Sequence, residues 1–244
     1  MQRHFLLLVA MISWSIVLAL NGSQLQAPSK VCIPYIKLGP GIQMELVRNG
    51  SQVSSLLGQA GMEPGDSNRQ IMREQQYLDF IFIPLYWAFF YYAIGGAFRN
   101  TGGVGFSLAK WLRIVISIAA VADYLEDVAI LWALRPSYNG PVWPFPFGFT
   151  KWLFFFLTVG FSAVLFLRYP KFGSFPTGSR WAGWVGFLFL GSALCGILGT
   201  FSVVLPQECL LPVSVDLLIV GLLLLLLWFW KGLKTQRSSP AGAA

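Results

Sequence analysis

The sequence predicts an all-α fold, a polytopic transmembrane helical bundle with a small exported helical segment. The first observation is composition: 56% of the 244 residues are hydrophobic and only 11% are charged, whereas soluble domains carry about 25% charged residues. The second is the length of several apolar runs, because a bilayer span needs roughly 20 mostly apolar residues. The third is that these runs do not alternate between apolar and polar residues, as the strands of a membrane β-barrel do.

Six apolar runs are candidate spans, at about residues 5–20, 78–97, 111–134, 152–168, 181–205 and 213–230. The first run is short, follows a basic start and leads into a polar stretch, which fits either a signal peptide or a signal anchor. The bundle therefore has six spans, or five after signal cleavage. The predicted organisation is a signal or anchor at 1–20, an exported segment at 21–76, the bundle at 77–231 and a cytoplasmic tail at 232–244.

The formal net charge of +7 is explained by where the cations lie. With the N-terminus inside, ten Lys and Arg residues fall at the cytoplasmic ends of the spans, whereas the short outer loops, about 135–151 and 206–212, hold only Arg135 and Lys151. The positive-inside rule then predicts that both termini are cytoplasmic if the first span is uncleaved. The charge does not indicate nucleic-acid binding, and the lipid bilayer is the predicted partner.

The exported segment is too short for an independent core, so we expect it to pack on the outer face of the bundle. Residues 51–57 place three apolar side chains on one face of a short amphipathic helix, which the glycines at 58 and 61 would end. One helix is expected from about 67 to 97, with a kink at Pro84.

Two outer features are open to more than one interpretation. Cys32 and Cys209 both fall on the outer side, so they form a disulfide in an oxidising compartment or stay as two unpaired thiols. Residues 141–149 alternate prolines with aromatic residues. Because proline disfavours a regular helix and aromatic rings favour the headgroup layer, this stretch is predicted to be an interfacial loop or a lid.

Recognisable catalytic motifs are absent from the sequence. The single histidine, His4, lies near the N-terminus, which argues against a histidine-based zinc site or general base. There is no phosphate-binding glycine loop, no nucleophile elbow and no CxxC pair. The absence of these motifs argues against an enzyme, and the sequence indicates no particular cofactor.

An acidic cluster interrupts the apolar run at 111–134. Asp123, Glu126 and Asp127 are spaced i, i+3, i+4 and therefore share one face of a helix, whereas bulky apolar residues occupy the opposite face. Three acids at a span centre would cost about 7–10 kcal/mol on insertion scales, and less where they lie off the centre. The apolar residues of this span return about 3–5 kcal/mol, so the span is marginal alone. The acids are therefore expected to face the bundle, where neighbouring helices supply partners.

Two further acids, Asp79 and Asp216, are predicted near the outer ends of their spans. With the acidic cluster they make five carboxylates that we expect to line one outward-facing vestibule, as ligands for an ion or a small molecule. The candidate charge partners are Arg69, Arg73 and Arg135. The candidate hydroxyl partners are Tyr77, Tyr86 and Tyr124.

Three interpretations of the carboxylates remain open. They support the bundle by pairing with neighbouring helices, or serve an associated ion or small-molecule step there. Alternatively they bind a cation or carry protons in a membrane transporter, as intramembrane acids often do. In the third interpretation they hold Mg²⁺, Ca²⁺ or Mn²⁺ in a metal-dependent membrane enzyme. The first is preferred, because the sequence shows no further convergent polar set.

The stretch at about 42–134 resembles a group of uncharacterised bacterial integral membrane proteins. In that group an exported amphipathic segment leads into an L-D-F-x-F span, followed by a D-x-x-E-N span. Asp79 matches the aspartate of the first motif, and Asp123 and Glu126 match the acids of the second. Asp127 departs from the pattern, since the group tends to have asparagine there. The resemblance implies a helical membrane fold with a paired-acid core, and no activity.

Overall fold

The computed structural model describes residues 2–25, 44–45, 50–98, 103–135, 144–168, 179–202 and 210–238. Every regular element in these ranges is helical, which confirms the predicted all-α class. The helices are α1 (Gln2–Gly22), α2 (Gly50–Leu57), α3 (Gly65–Ala88), α4 (Gly103–Ala133), α5 (Pro144–Arg168), α6 (Ser179–Ser202) and α7 (Leu210–Ser238). The predicted cysteine pair, Cys32 and Cys209, lies outside the described residues.

Five stretches are long and apolar enough to cross a membrane: Gln2–Gly22, Gly65–Ile94, Pro144–Arg168, Ala182–Thr200 and Ser214–Lys231. The chain is therefore a multi-pass membrane protein. The predicted third span is present as α4, but α4 is not among these five. It has 31 residues, or about 46 Å at 1.5 Å per residue, and its three acids lower its apolar character. Its passage through the bilayer stays a prediction.

The long helices form a closed ring. Each of α3 to α7 packs against the next in the chain, and α1 packs against both α3 and α7. The indole Nε1–H of Trp14 in α1 donates to the carbonyl oxygen of Leu78 in α3 at 2.8 Å. Close approach also depends on small residues in α6, since a Cβ at Gly196 would lie 2.3 Å from the ring of Phe156. This agrees with the tendency of membrane helices to place small residues at their interfaces.

The helix predicted over 67–97 begins slightly earlier, at Gly65, so the proposed boundary between exported segment and bundle falls inside one helix. The α-helical hydrogen bonding continues past Pro84 and changes to a π-helix only at Phe89–Ile94, followed by a short α-helical turn, Gly95–Ala97. The irregularity expected at Pro84 is therefore found one to two turns later. There the Nε–H of Arg113 in α4 donates to the carbonyl oxygen of Tyr91 at 3.2 Å.

The described part of the segment that is predicted to be exported, residues 21–76, packs on the bundle, as expected. In α2 the apolar side chains of Val53, Leu56 and Leu57 are buried, and the helix ends at Gly58, whose φ of +98° suits glycine. Those side chains form a second hydrophobic cluster with residues of α3 and α4. Its buried members are Met44, Val53, Leu56, Leu57, Met72, Ile130, Ala133 and Leu134.

The expectation of a loop or lid at 141–149 is wrong for the described part of that stretch, because α5 begins at Pro144. Pro144 and Pro146 occupy the first and third positions of the helix. The first backbone N–H groups of a helix have no intrahelical partner, so proline removes no hydrogen bond there. As a result, Lys151 is a residue of the second helical turn of α5 and not a loop residue.

A buried lysine and carboxylate cluster

The acidic face of α4 points into the protein, as the helical spacing predicts. Asp123, Glu126 and Asp127 are 4%, 0% and 1% exposed. On the opposite face of the same helix, Val121 and Leu125 are 59% and 46% exposed. The helix is therefore two-sided, with its carboxylates against other protein segments and an apolar face turned outward.

A single ammonium group, that of Lys151 in α5, lies between three carboxylates. Its Nζ is 3.0 Å from Oδ1 of Asp123 and 2.5 Å from Oε2 of Glu126, both in α4. It is also 2.9 Å from Oε1 of Glu45, a residue of the segment that is predicted to be exported. The side chain of Lys151 is only 9% exposed, and that of Glu126 is fully buried. Three charges of one sign thus surround one charge of the other sign in a site with little access to water.

Glu45 makes a second contact with α5. The indole Nε1–H of Trp152 donates to Oε2 of Glu45 at 2.5 Å, so each carboxylate oxygen of Glu45 accepts from a different residue of α5. Burial raises the pKa of Glu45 above its ordinary value of 4.5, while the neighbouring Lys151 charge acts in the opposite direction. Glu45 therefore joins the cluster from a distant part of the sequence and is itself shielded from water.

A glycine makes room for these acids. A Cβ built at Gly148, one turn before Lys151 in α5, would lie 2.9 Å from Oε1 of Glu126 and 3.4 Å from Cβ of Glu45. Real Cβ atoms almost never approach a neighbour within 3.0 Å. The absence of a side chain at this position therefore allows α5 to pack directly over the two glutamates.

A second group of carboxylates meets the first at Asp123. One carboxylate oxygen from each of Asp79, Asp123 and Asp127 lies within 4.8 Å of the other two. Asp79 comes from α3 and is partly exposed, whereas the two α4 residues are buried. The hydroxyl of Tyr86, also in α3, donates to Oδ2 of Asp123 at 2.8 Å. Asp123 is thus the residue that the lysine group and the three-aspartate group share.

The cluster carries more negative charge than its own cation offsets. Five carboxyl groups and one ammonium give a formal charge of −4 if all are ionised. Within the described part of the chain, Oδ2 of Asp127 and Oε1 of Glu126 are buried and have no hydrogen-bond partner. Because uncompensated buried charge is very costly, protons or a bound cation must supply the missing positive charge.

The other residues singled out in the sequence lie elsewhere. Asp216 is exposed on α7 and does not belong to the three-aspartate group.

The three arginines have other contacts. Arg69 donates to Oγ of Ser54 and to the carbonyl oxygen of Gly58. Arg73 donates to the carbonyl oxygen of Leu134, and the guanidinium of Arg135 lies over the ring of Trp132. The cation expected from among these three arginines is instead Lys151. Of the tyrosines, only Tyr86 donates to an acid, since Tyr124 donates to the carbonyl oxygen of Phe80 and Tyr77 is exposed.

Two members of the cluster, Lys151 and Glu45, were not predicted as site residues. Lys151 was assigned to an outer loop, although a lone cation followed by an apolar run such as WLFFFL is itself a signal for an intramembrane partner. Glu45 carried no comparable local signal, because its contact with α5 spans more than 100 residues of sequence.

The fold and the cluster together define a class: a multi-pass helical membrane protein with a buried cluster of mixed charge. No protein-family model, no curated protein and no solved structure matches the chain.

Proposed function

We propose that this protein is a cation-binding integral membrane protein, in which Asp79, Asp123 and Asp127 hold a divalent cation between α3 and α4. The observation that carries the proposal is the convergence of three carboxylate oxygens within 4.8 Å of one another. Carboxylate oxygens are the preferred protein ligands of hard cations such as Ca²⁺, Mg²⁺ and Mn²⁺. The unpartnered Oδ2 of Asp127 supports the proposal, since a cation would satisfy it.

The spacing of the carboxylate oxygens suits a single divalent cation. Ligand oxygens lie about 2.3–2.6 Å from Ca²⁺ and about 2.0–2.1 Å from Mg²⁺. Two ligand oxygens on one ion are therefore at most about 4–5 Å apart. The aspartate oxygens lie within 4.8 Å of one another, which is compatible with either ion and does not choose between them.

Asp123 couples the cation to Lys151. Its Oδ1 contacts the ammonium group and its Oδ2 accepts from Tyr86, so a cation bound there shares a carboxylate with both. The positive charge of the cation weakens the electrostatic attraction between Asp123 and Lys151. The ammonium then depends more on Glu126 and Glu45, and through Glu45 the exported segment responds to the occupancy of the site.

Metal titration of the purified full-length protein tests the proposal. After treatment with a chelator, Ca²⁺ should raise the melting temperature saturably, since a ligand at 100 times its Kd stabilises by about 2.7 kcal/mol. Asp127→Asn should require a higher Ca²⁺ concentration for the same response, because a charged ligand is lost. The matched variant Asp216→Asn, which alters an exposed carboxylate on α7, should respond as the wild type does. A wild-type protein indifferent to Ca²⁺, Mg²⁺ and Mn²⁺, or an Asp127→Asn variant that responds as the wild type does, would overturn the proposal.

A second candidate function is cation- or proton-linked transport, and the excess of buried carboxylates over cations favours it. Protons could supply the positive charge that Lys151 does not. Uptake of Ca²⁺ or of protons into reconstituted liposomes, measured with an ion gradient and with Asp127→Asn as the control, separates transport from static binding. Absence of flux in a preparation that binds Ca²⁺ would exclude the transport function.

A metal-dependent membrane enzyme is the third alternative. It requires a substrate that is converted at the same aspartates.

The orientation of the chain is part of the proposal. Six crossings with both termini cytoplasmic place the exported segment and Glu45 on the outer side, in accordance with the bias of Lys and Arg along the sequence. Reporter fusions after residues 25, 135 and 238 test it: the first should report an outer location, and the last an inner one. With α4 as a crossing helix, the fusion after residue 135 should also report the outer side.

We also propose that the resembling bacterial membrane proteins share this carboxylate site. Their L-D-F-x-F and D-x-x-E-N motifs correspond here to residues that include Asp79 and Asp123, and the proximity of these two aspartates supports a common site. Replacement of Asp127 by the asparagine typical of that group should weaken the binding of Ca²⁺ in this chain, because a charged ligand is lost.

A further inference from the structure

A cavity of about 1000 Å³ lies along the outward face of α4, away from the acidic face. Its lining combines α4 with Tyr91 and Gly95 of the preceding helical segment and with Phe147 and Thr150 of α5. None of the five carboxylates of the buried cluster lines it. This cavity is therefore a second feature of the molecule and is independent of the proposed cation site.

The cavity has the form of a long apolar groove. Ile114, Ile118, Val121 and Leu125 follow one another along one side of α4 and line it. From Lys110 to Leu125 the helix rises about 22 Å at 1.5 Å per residue. This exceeds about 15 Å, half the thickness of a bilayer hydrocarbon core. The groove is therefore long enough for an extended acyl chain.

Two cations stand at one end of the groove. Lys110 is exposed and Arg113 is half-buried, and both line the cavity. Arg113 is held in place by its hydrogen bond to the carbonyl oxygen of Tyr91 and by the Tyr91 ring, 5.0 Å from the guanidinium carbon. Among the described residues neither cation forms a salt bridge, since the described salt bridges all involve Lys151. Positive charge at the mouth of an apolar groove matches an anionic headgroup that carries an acyl chain.

We propose that the groove binds a membrane lipid with an anionic phosphate headgroup, the phosphate against Lys110 and Arg113 and one acyl chain along α4. The paired cations favour such a lipid over a zwitterionic one of the same chain length. The apolar row from Ile114 to Leu125 provides the contact surface for the chain. The lipid site includes no residue of the carboxylate cluster. A negative result for cation binding therefore would not contradict it.

Native mass spectrometry of the full-length protein with added lipid tests the proposal. Phosphatidylglycerol should be retained about tenfold or more over phosphatidylcholine with the same chains. Lys110→Gln with Arg113→Gln should weaken retention of phosphatidylglycerol about thirtyfold, at roughly 1 kcal/mol per cation and 1.4 kcal/mol per tenfold. The single variant Lys110→Gln, which alters an exposed side chain, should weaken it several-fold even if the double variant folds poorly.

Two matched variants sharpen the experiment. Val121→Trp leaves both cations in place but fills the groove, and it should reduce retention because Val121 is 59% exposed and the larger ring enters the cavity instead of the core. Arg3→Gln removes an exposed cation of α1 that does not line the groove, and it should change nothing. Equal retention of the two lipids, or unchanged retention in Lys110→Gln, would overturn the proposal. Displacement of the lipid by inorganic phosphate alone, or dimer formation that Val121→Trp abolishes, would also overturn it.

Discussion

Lys151 donates a hydrogen bond to Glu45 across 106 positions of sequence, with 2.9 Å between Nζ and Oε1. The same ammonium group contacts Asp123 and Glu126 of α4. One side chain of α5 therefore joins the segment that contains Glu45 to the acidic face of α4. Each of these contacts leads to a measurable expectation.

Replacement of Lys151 by methionine should strongly destabilise the protein. Methionine preserves much of the volume and removes the charge, which leaves buried carboxylates without their cation. Breaking a buried ion pair in this way costs about 3–5 kcal/mol, which corresponds to a fall of roughly 10 °C in Tm for a chain of this size. Thermal unfolding in detergent measures it.

Two variants control for this effect. Lys110→Met, an exposed lysine on α4, should leave Tm nearly unchanged in detergent without added lipid. Adding Glu126→Gln to Lys151→Met should restore part of the lost Tm, because it removes one of the buried carboxylates left without a cation. Equal melting temperatures for the Lys151→Met and Lys110→Met variants would contradict the central role of Lys151.

Gly148→Ala should destabilise the cluster, although alanine favours a helix over glycine by about 1 kcal/mol. The added methyl group would stand 2.9 Å from Oε1 of Glu126 and must displace it. Overpacking of this kind costs about 1–3 kcal/mol. Gly160→Ala in the same helix is the matched control, since its Cβ meets only Ala193 at an ordinary 3.4 Å. A Gly148→Ala variant as stable as Gly160→Ala would show that the glutamate has room to move.

The stability of the protein should depend on pH through Glu45. Burial raises the pKa of this carboxyl above its ordinary 4.5, so the folded protein binds its proton more tightly than the unfolded chain does. The contribution of Glu45 to stability is therefore greatest below pH 4.5 and is lost as the pH rises through the raised pKa. As the pH rises above 4.5, the Tm of the wild type should fall relative to the Tm of the Glu45→Gln variant. Glu74→Gln, an exposed control, should show no such trend.

Asn68→Ala should loosen helix α2. The buried side chain of Asn68 donates from Nδ2 to the carbonyl oxygen of Leu57 at 2.9 Å and so satisfies the last turn of that helix. An unpaired buried carbonyl costs about 1–3 kcal/mol. Limited proteolysis within 50–57 should therefore become faster. Gln70→Ala, which removes an exposed hydrogen bond to Glu74, should leave the rate unchanged.

Local periodicity was sufficient to predict which face of α4 is buried. Positions three and four apart share a helix face whatever the rest of the chain does, so Asp123, Glu126 and Asp127 were correctly placed together facing the protein. The same reasoning predicted the amphipathic helix α2 and its glycine end. Such predictions depend only on residues close in sequence, where helical geometry fixes the outcome.

The partners of the acids could not be found in this way. The sequence predicts a loop at Lys151 because this charged residue directly precedes the apolar run at 152–168. The structure starts α5 earlier, at Pro144, where the first turn of a helix tolerates proline. Glu45 reaches the cluster through a contact between distant parts of the chain, which no local pattern specifies. Asp216 shows the opposite case: its position near a helix end suggested membership of the cluster, but the side chain faces outward.

The two-sided character of α4 has a consequence for the biogenesis of the protein. The chain is made from its N-terminus, so the three buried acids of α4 reach the insertion machinery before Lys151 has been synthesised. On insertion scales α4 alone is marginal, so we expect it to be retained until α5 arrives. In a translocon insertion assay, α4 should insert poorly alone and efficiently when followed by α5, and Lys151→Met should remove the gain. We therefore predict that the order of the helices along the chain makes α5 the segment that allows α4 to enter the lipid.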